Sequence, residues 1–196
     1  MTLKLKKSLL FLVISILANS FLIAQTKLDN SYKLANQDKS YGEFVNFHSD
    51  TMKKDFPMLV FLPENYNTSK KDFPVVYSLH GYNESPLTEE GIRKMYSPMT
   101  KFKEAANEFQ VIIACPLVGN KYYIDSPIKK NEKYATLIAK EMVSLIDKKY
   151  RTIKNRNGRI LQGFSMGGYG SVSLLCRYPE TFSVALSRGG DRKSVV

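Results

Sequence analysis

Apolar residues fall along this chain in more than one rhythm, and each rhythm predicts a different element. Phe44 to His48 and Met58 to Leu62 are short apolar-rich runs joined by the polar stretch Ser49 to Asp55, which predicts two strands of an antiparallel start. Pro63 to Lys71 then turns the chain. Val75 to Leu79 and Val111 to Ala114 are apolar without alternation, the pattern of central strands in a parallel sheet covered on both faces. Between them, Met99 to Phe109 predicts a helix. The clearest helix signal is Glu132 to Lys149, where Tyr134, Leu137, Ile138, Met142, Leu145 and Ile146 recur at three- and four-residue steps. That stripe is core. Arg159 to Gln162 predicts a further central strand, Gly168 to Arg177 a helix closed by Pro179, and Phe182 to Leu186 the next strand. Strand, helix and strand in this alternation imply a three-layer α/β fold with right-handed crossovers.

Length and charge refine that picture. The 196 residues hold one α/β domain and not comfortably two. Lys4, Lys6 and Lys7 precede an apolar run from Leu9 to Leu17 that continues less evenly to Ile23, and Ala24 follows, so residues 1–24 read as a signal peptide cleaved near Ala24. The alternative is a single spanning anchor, against which Asn19 and Ser20 interrupt the run. Residues 25–40 are a polar leader, and the fold is expected over 41–190. Residues 1–24 carry three lysines and no acids, so their removal lowers the formal charge from +11 to +8. The remaining lysines are scattered and lack interleaved aromatics, which points to a solvated surface, not a nucleic-acid site. An acidic polymer as substrate or neighbour stays open. Cys115 and Cys176 are expected to be two free, packed thiols.

The candidate chemistry lies between the strand ending at Gln162 and the helix after it. Gly163-Phe164-Ser165-Met166-Gly167 reads as a nucleophile elbow, a turn so tight that side chains two positions either side of the serine would collide. Hence glycine at 163 and 167. By composition alone such a pentapeptide turns up in roughly one chain in twenty of this length, so its placement after a strand and before a helix carries the weight. The helix N-terminus points free N–H groups at the place where an oxyanion would form. A second constellation ends the earlier strand: Leu79-His80-Gly81-Tyr82. The loop there is expected to donate one backbone N–H to the oxyanion, from Tyr82, and the residue after the nucleophile the other, from Met166. Gly81 lets that backbone come close. His80 is read as a satisfied structural histidine and not as the base.

Together these residues resemble the esterase D-like family of α/β-hydrolases, which includes feruloyl and acetylxylan esterases. The resemblance runs from about Tyr41 to Gly189. It is carried by Leu62-Pro63-Glu64-Asn65-Tyr66, Phe73 to Gly81, Lys149-Tyr150-Arg151, Gly163 to Gly170, and Tyr178-Pro179-Glu180-Thr181-Phe182. It implies an α/β-hydrolase fold, a mostly parallel sheet with antiparallel N-terminal strands. It also implies a secreted or periplasmic serine esterase acting through an acyl-enzyme, with Ser165 as nucleophile and Tyr82 and Met166 as oxyanion donors. The substrate it implies is a small-molecule or polysaccharide ester, with acylated carbohydrate the expected class. Neither cofactor nor metal is implied, and no P-loop, dinucleotide fingerprint or metal-ligand spacing is present in the sequence.

The departure from the family pattern is as informative. In this fold the acid and the histidine follow the serine, but both histidines here, His48 and His80, precede Ser165. Asp191 is the sole later aspartate. The fold is therefore expected to be incomplete at the C-terminus, and this chain inactive as given. Residues 191–196 are expected to be a non-native tail, since a common sequencing-library adapter would encode them. An acyltransferase of the same fold and a non-catalytic binding module on the same scaffold are the competing readings.

Overall fold

The structure, a computed structural model, describes residues 42–96 and 101–190. The expected signal peptide, polar leader and 191–196 tail lie outside the described residues, as do Tyr41, Met99 and Thr100. Six strands form one sheet: β1 (Glu43–Ser49), β2 (Lys54–Phe61), β3 (Val75–Leu79), β4 (Ile112–Pro116), β5 (Arg159–Phe164) and β6 (Val184–Arg188), in the order β1-β2-β4-β3-β5-β6. β2 pairs antiparallel with β1 and with β4, and the pairs β3–β4, β3–β5 and β5–β6 are parallel. This is the mostly parallel α/β-hydrolase sheet with antiparallel N-terminal strands. The β3–β5 register sets Leu79 opposite Gly163. The carboxyl ends of these two strands are thus level, and the segments leaving them start side by side.

Alternation along the strands sorts the core into two layers. Met58, Val60, Ile112 and Ala114 face one cluster, which they share with Leu137, Ile138, Met142 and Ile146 of the helix α3 (residues 134–149) and with Leu174 of a later helix. Their neighbours Leu59, Phe61, Ile113 and Cys115 face the other, packed on Ile92 of α1 (Glu89–Met95) and Ala106 of α2 (Phe102–Phe109). Helices therefore cover both faces of β2 and β4, as the runs without alternation require. α3 begins at Tyr134–Thr136, takes a π-helical form over Leu137–Met142 and ends α-helical over Val143–Lys149.

Most predicted elements are found, with shifted ends. β3 has the expected bounds. α3 starts at Tyr134, after the predicted Glu132, because Asp125 from the preceding loop accepts the N–H groups of Ala135 (2.9 Å) and Thr136 (3.0 Å). α1 was not anticipated. Its signal is Thr88, whose hydroxyl accepts the Gly91 N–H at 3.1 Å ahead of the first-turn acids Glu89 and Glu90. The cysteine expectation needs correcting at one position: Cys115 is buried, but Cys176 is exposed. It lies off the stripe of Gly167, Gly170, Ser171 and Leu174 that the last helix, α4 (Met166–Arg177), turns to the sheet. Among the described residues no helix is long and apolar enough to cross a membrane.

Candidate active site

β5 and α4 meet at Ser165, and the backbone there is unusual. Ser165 has φ 52° and ψ −116°, a conformation that side-chain-bearing residues rarely adopt. Holding it costs on the order of 1–3 kcal/mol, so neighbours must fix it. The Ser165 N–H donates to the Arg188 carbonyl of β6 at 2.8 Å, and the Ser165 carbonyl accepts the Tyr169 N–H at 3.0 Å. Sterics do the rest. A methyl group at Gly163 would lie 2.8 Å from the Gly167 Cα, and one at Gly167 would lie 2.8 Å from the His80 carbonyl oxygen, with the Leu79 carbonyl closer still. The turn exists because both positions lack a side chain. Ser165 is half-buried, and its Oγ has no hydrogen-bond partner among the described residues.

The loop after β3 reaches the same spot. A methyl group at Gly81 would sit 3.3 Å from the Phe164 carbonyl oxygen and 3.7 Å from the Ser165 Cβ, so this backbone passes against the elbow. Ser165, Gly81, Gly163 and Gly167 are thus brought together, with Tyr82 next along the loop and Met166 opening α4. No partner takes the backbone N–H of Tyr82 or Met166 among the described residues. The Tyr82 ring is 63% exposed and the Phe164 ring 61%. α4 has twelve residues, and the positive end of its dipole is at Met166.

His80 is buried and fully engaged. Its Nε2 accepts the Val118 N–H at 3.1 Å, and its Nδ1 lies 2.7 Å from the Gly81 carbonyl oxygen. Burial lowers its pKa from the ordinary 6.5. His48 sits in the β1–β2 hairpin with its Nδ1 2.6 Å from Asp55 Oδ1, and β1 is the sheet edge opposite β6. Neither histidine hydrogen-bonds Ser165. A proton acceptor for its hydroxyl is absent among the described residues.

Several residues at this site carry no motif. Tyr123 donates its hydroxyl to the His80 carbonyl at 2.9 Å, and Asn120 Oδ1 accepts the Asn83 N–H at 2.9 Å. Both come from the loop after β4, about forty positions away in the chain, and nothing in the local spacing announces them. A groove of about 370 Å³ lies behind the elbow, between α4 and the β6 end, lined in part by Tyr169, Val172, Cys176 and Ser187. Ser165 does not line it. No group of three or more His, Cys, Asp or Glu side chains that could hold a metal ion occurs among the described residues.

Residues 49–190 match the model of the protein family described as "Putative esterase". The chain is 27% identical over 134 residues to Esterase Rv1288 of Mycobacterium tuberculosis (strain ATCC 25618 / H37Rv), covering 67% of this chain and 28% of that protein. A solved ferulic acid esterase superposes with a TM-score of 0.60 at 27% identity, over 72% of this chain and 55% of its own. FphF, a fluorophosphonate-binding serine hydrolase of Staphylococcus aureus, superposes with a TM-score of 0.58 at 24% identity, over 74% and 55%. The chain thus spans between about a quarter and about half the length of these relatives.

Proposed function

The chain belongs to the "Putative esterase" family, and from that premise we propose that Ser165 is the nucleophile of an exported serine esterase that cleaves carboxylic esters through an acyl-serine intermediate. The observation that carries the reading is the backbone of Ser165 itself. A strained serine, wedged between two glycines that admit no Cβ and set beside free amides, is costly to fold and has no packing purpose.

In the proposed reaction Ser165 Oγ bonds to the ester carbonyl carbon and the carbonyl electron pair moves onto its oxygen. The Tyr82 and Met166 N–H groups receive that oxyanion, each donor stabilising it by about 3 kcal/mol. Collapse breaks the carbon–oxygen bond to the alcohol and leaves an ester on Ser165. Water then repeats the attack, releasing acid and free serine. The proton leaving Oγ needs an acceptor, and with His80 tied into the loop and His48 at the far sheet edge none is present among the described residues. A serine without a base is a weak nucleophile. We therefore expect residues 42–190 to hold the attacking group and the oxyanion donors but, without an added base, to turn over esters at close to the background rate. An acylated carbohydrate is the proposed substrate class, from the sequence resemblance to feruloyl and acetylxylan esterases, and the likeness to a solved ferulic acid esterase supports a carboxylic ester. Export through residues 1–24 is part of the same proposal.

An alkyl fluorophosphonate probe tests the assignment. Mass mapping should find its adduct on Ser165, formed slowly alone and faster with added imidazole as an external base. Labelling that is unchanged in Ser165→Ala, or that maps to other serines, would overturn it.

A further inference from the structure

We propose that His80, as a neutral imidazole protonated on Nδ1, is a positioning residue that latches the loop of residues 117–123 onto the loop after β3 and so holds the Tyr82 amide in place. The tautomer follows from the partners. The Val118 N–H can only donate, so Nε2 must be bare, and the single proton of a neutral ring then sits on Nδ1, aimed at the Gly81 carbonyl 2.7 Å away. Asn83 Nδ2 lies 2.9 Å from Nδ1 and 3.2 Å from the same carbonyl. Because Nε2 is already the bare nitrogen that accepts from Val118, the amide donates to the Gly81 carbonyl and not to the protonated Nδ1, while the Asn83 backbone N–H donates to Asn120 Oδ1 at 2.9 Å. One buried ring, 3% exposed, therefore joins two loops across its two nitrogens.

The loop of residues 117–123 needs such a tether. Gly119, Tyr122 and Tyr123 all have positive φ, 76°, 52° and 57°, so two side-chain-bearing residues in a row occupy the left-handed region. From this loop Tyr123 donates to the His80 carbonyl, and its ring meets the imidazole edge-on at 5.7 Å. The other side of that ring touches α4, where a methyl group at Gly170 would lie 2.9 Å from the Tyr123 Cγ. The wedge thus reaches from the oxyanion loop to the helix that begins beside Ser165. The buried titratable groups packed near His80 are the Tyr123 and Tyr96 phenols, which donate to the His80 and Ser78 carbonyls, and the Cys115 thiol of β4, which burial keeps protonated. Tyr82, on the same loop as His80, is exposed. Burial holds both phenols well above their ordinary range, so both are neutral. The inference rests on the reading of Tyr82 as an oxyanion donor.

The chain has only two histidines, which makes the test direct. In protein labelled with ¹⁵N-histidine, His80 should show a pyrrole-type Nδ1 and a pyridine-type Nε2 that do not move between about pH 8 and the ordinary histidine pKa of 6.5. An Nε2–H tautomer, or protonation of the His80 ring at or above 6.5, would overturn the latch. His80→Leu should speed amide exchange at Val118 about tenfold, the size expected for one lost buried hydrogen bond, and His80→Gln, which keeps an acceptor, should restore it. Unchanged exchange in a folded His80→Leu protein, or no rescue by glutamine, would also overturn it. Should the leucine variant fail to fold, the tautomer and the glutamine variant decide. A phenylboronic acid bound at Ser165 should shift the Tyr82 and Met166 amide resonances in the wild type and only Met166 in His80→Leu. If it shifts neither in the wild type, the oxyanion assignment fails on that ground alone, and the tautomer and the Val118 exchange still decide whether the latch exists.

Discussion

Ser165 occupies a backbone conformation that its own Cβ disfavours, and the surroundings supply the energy that keeps it there. Ser165→Gly should therefore stabilise the fold by about 1 kcal/mol in urea denaturation, because glycine adopts φ 52° without strain, while abolishing probe labelling. An unchanged or lower stability would mean the turn is relaxed. Gly167→Ala has the opposite sign: its methyl group would collide with the Leu79 and His80 carbonyls, and a loss of about 3 kcal/mol or outright failure to fold is expected. His80 adds a pH dependence. Burial lowers its folded pKa below 6.5, so beneath that pH the unfolded chain takes up a proton that the folded chain refuses. Its stability contribution is whole above 6.5, declines as pH falls toward the folded value, and levels off below it. His80→Gln should flatten that part of a urea-midpoint profile.

Among elements, α3 shows where local pattern ends and tertiary contact begins. Its apolar stripe was legible from spacing, but its first residue is set by Asp125, nine positions before Tyr134 and in no helical pattern. Asp125 also accepts the Thr136 hydroxyl at 2.6 Å. Removing it in Asp125→Ala leaves two first-turn N–H groups without partners and should cost about 1–2 kcal/mol in thermal or urea unfolding. A change near zero would show that water replaces the cap. The π-helical stretch Leu137–Met142 was not legible, since apolar steps of three and four fit α and π forms alike. α1 was legible only through Thr88 and its acids, because seven residues are too few for a clear period.

For the whole molecule, the two sheet faces and two edges are not alike. β1 and β2 start an antiparallel edge, whereas β6 closes the described sheet with Val184 44% and Leu186 56% exposed. A strand whose outer edge has no neighbour among the described residues, and which carries bare apolar side chains, invites pairing with another copy. Sedimentation velocity over rising concentration should show self-association, and Leu186→Lys should shift the protein toward monomer. A monomer at all concentrations would show that this edge is protected.

The order of the strands and of every helix but α1, the buried character of β3 and β4, and the need for glycine at 163 and 167 could be read from residues alone. Each follows from period or from sterics within a few positions. Tertiary structure decided what distance along the chain conceals. The register that sets Leu79 level with Gly163 brings Gly81 against Ser165. The loop after β4 then supplies Val118, Asn120 and Tyr123 to His80 and its neighbours, partners some forty residues away. Such contacts depend on how strands pair and loops cross, and no local spacing encodes either.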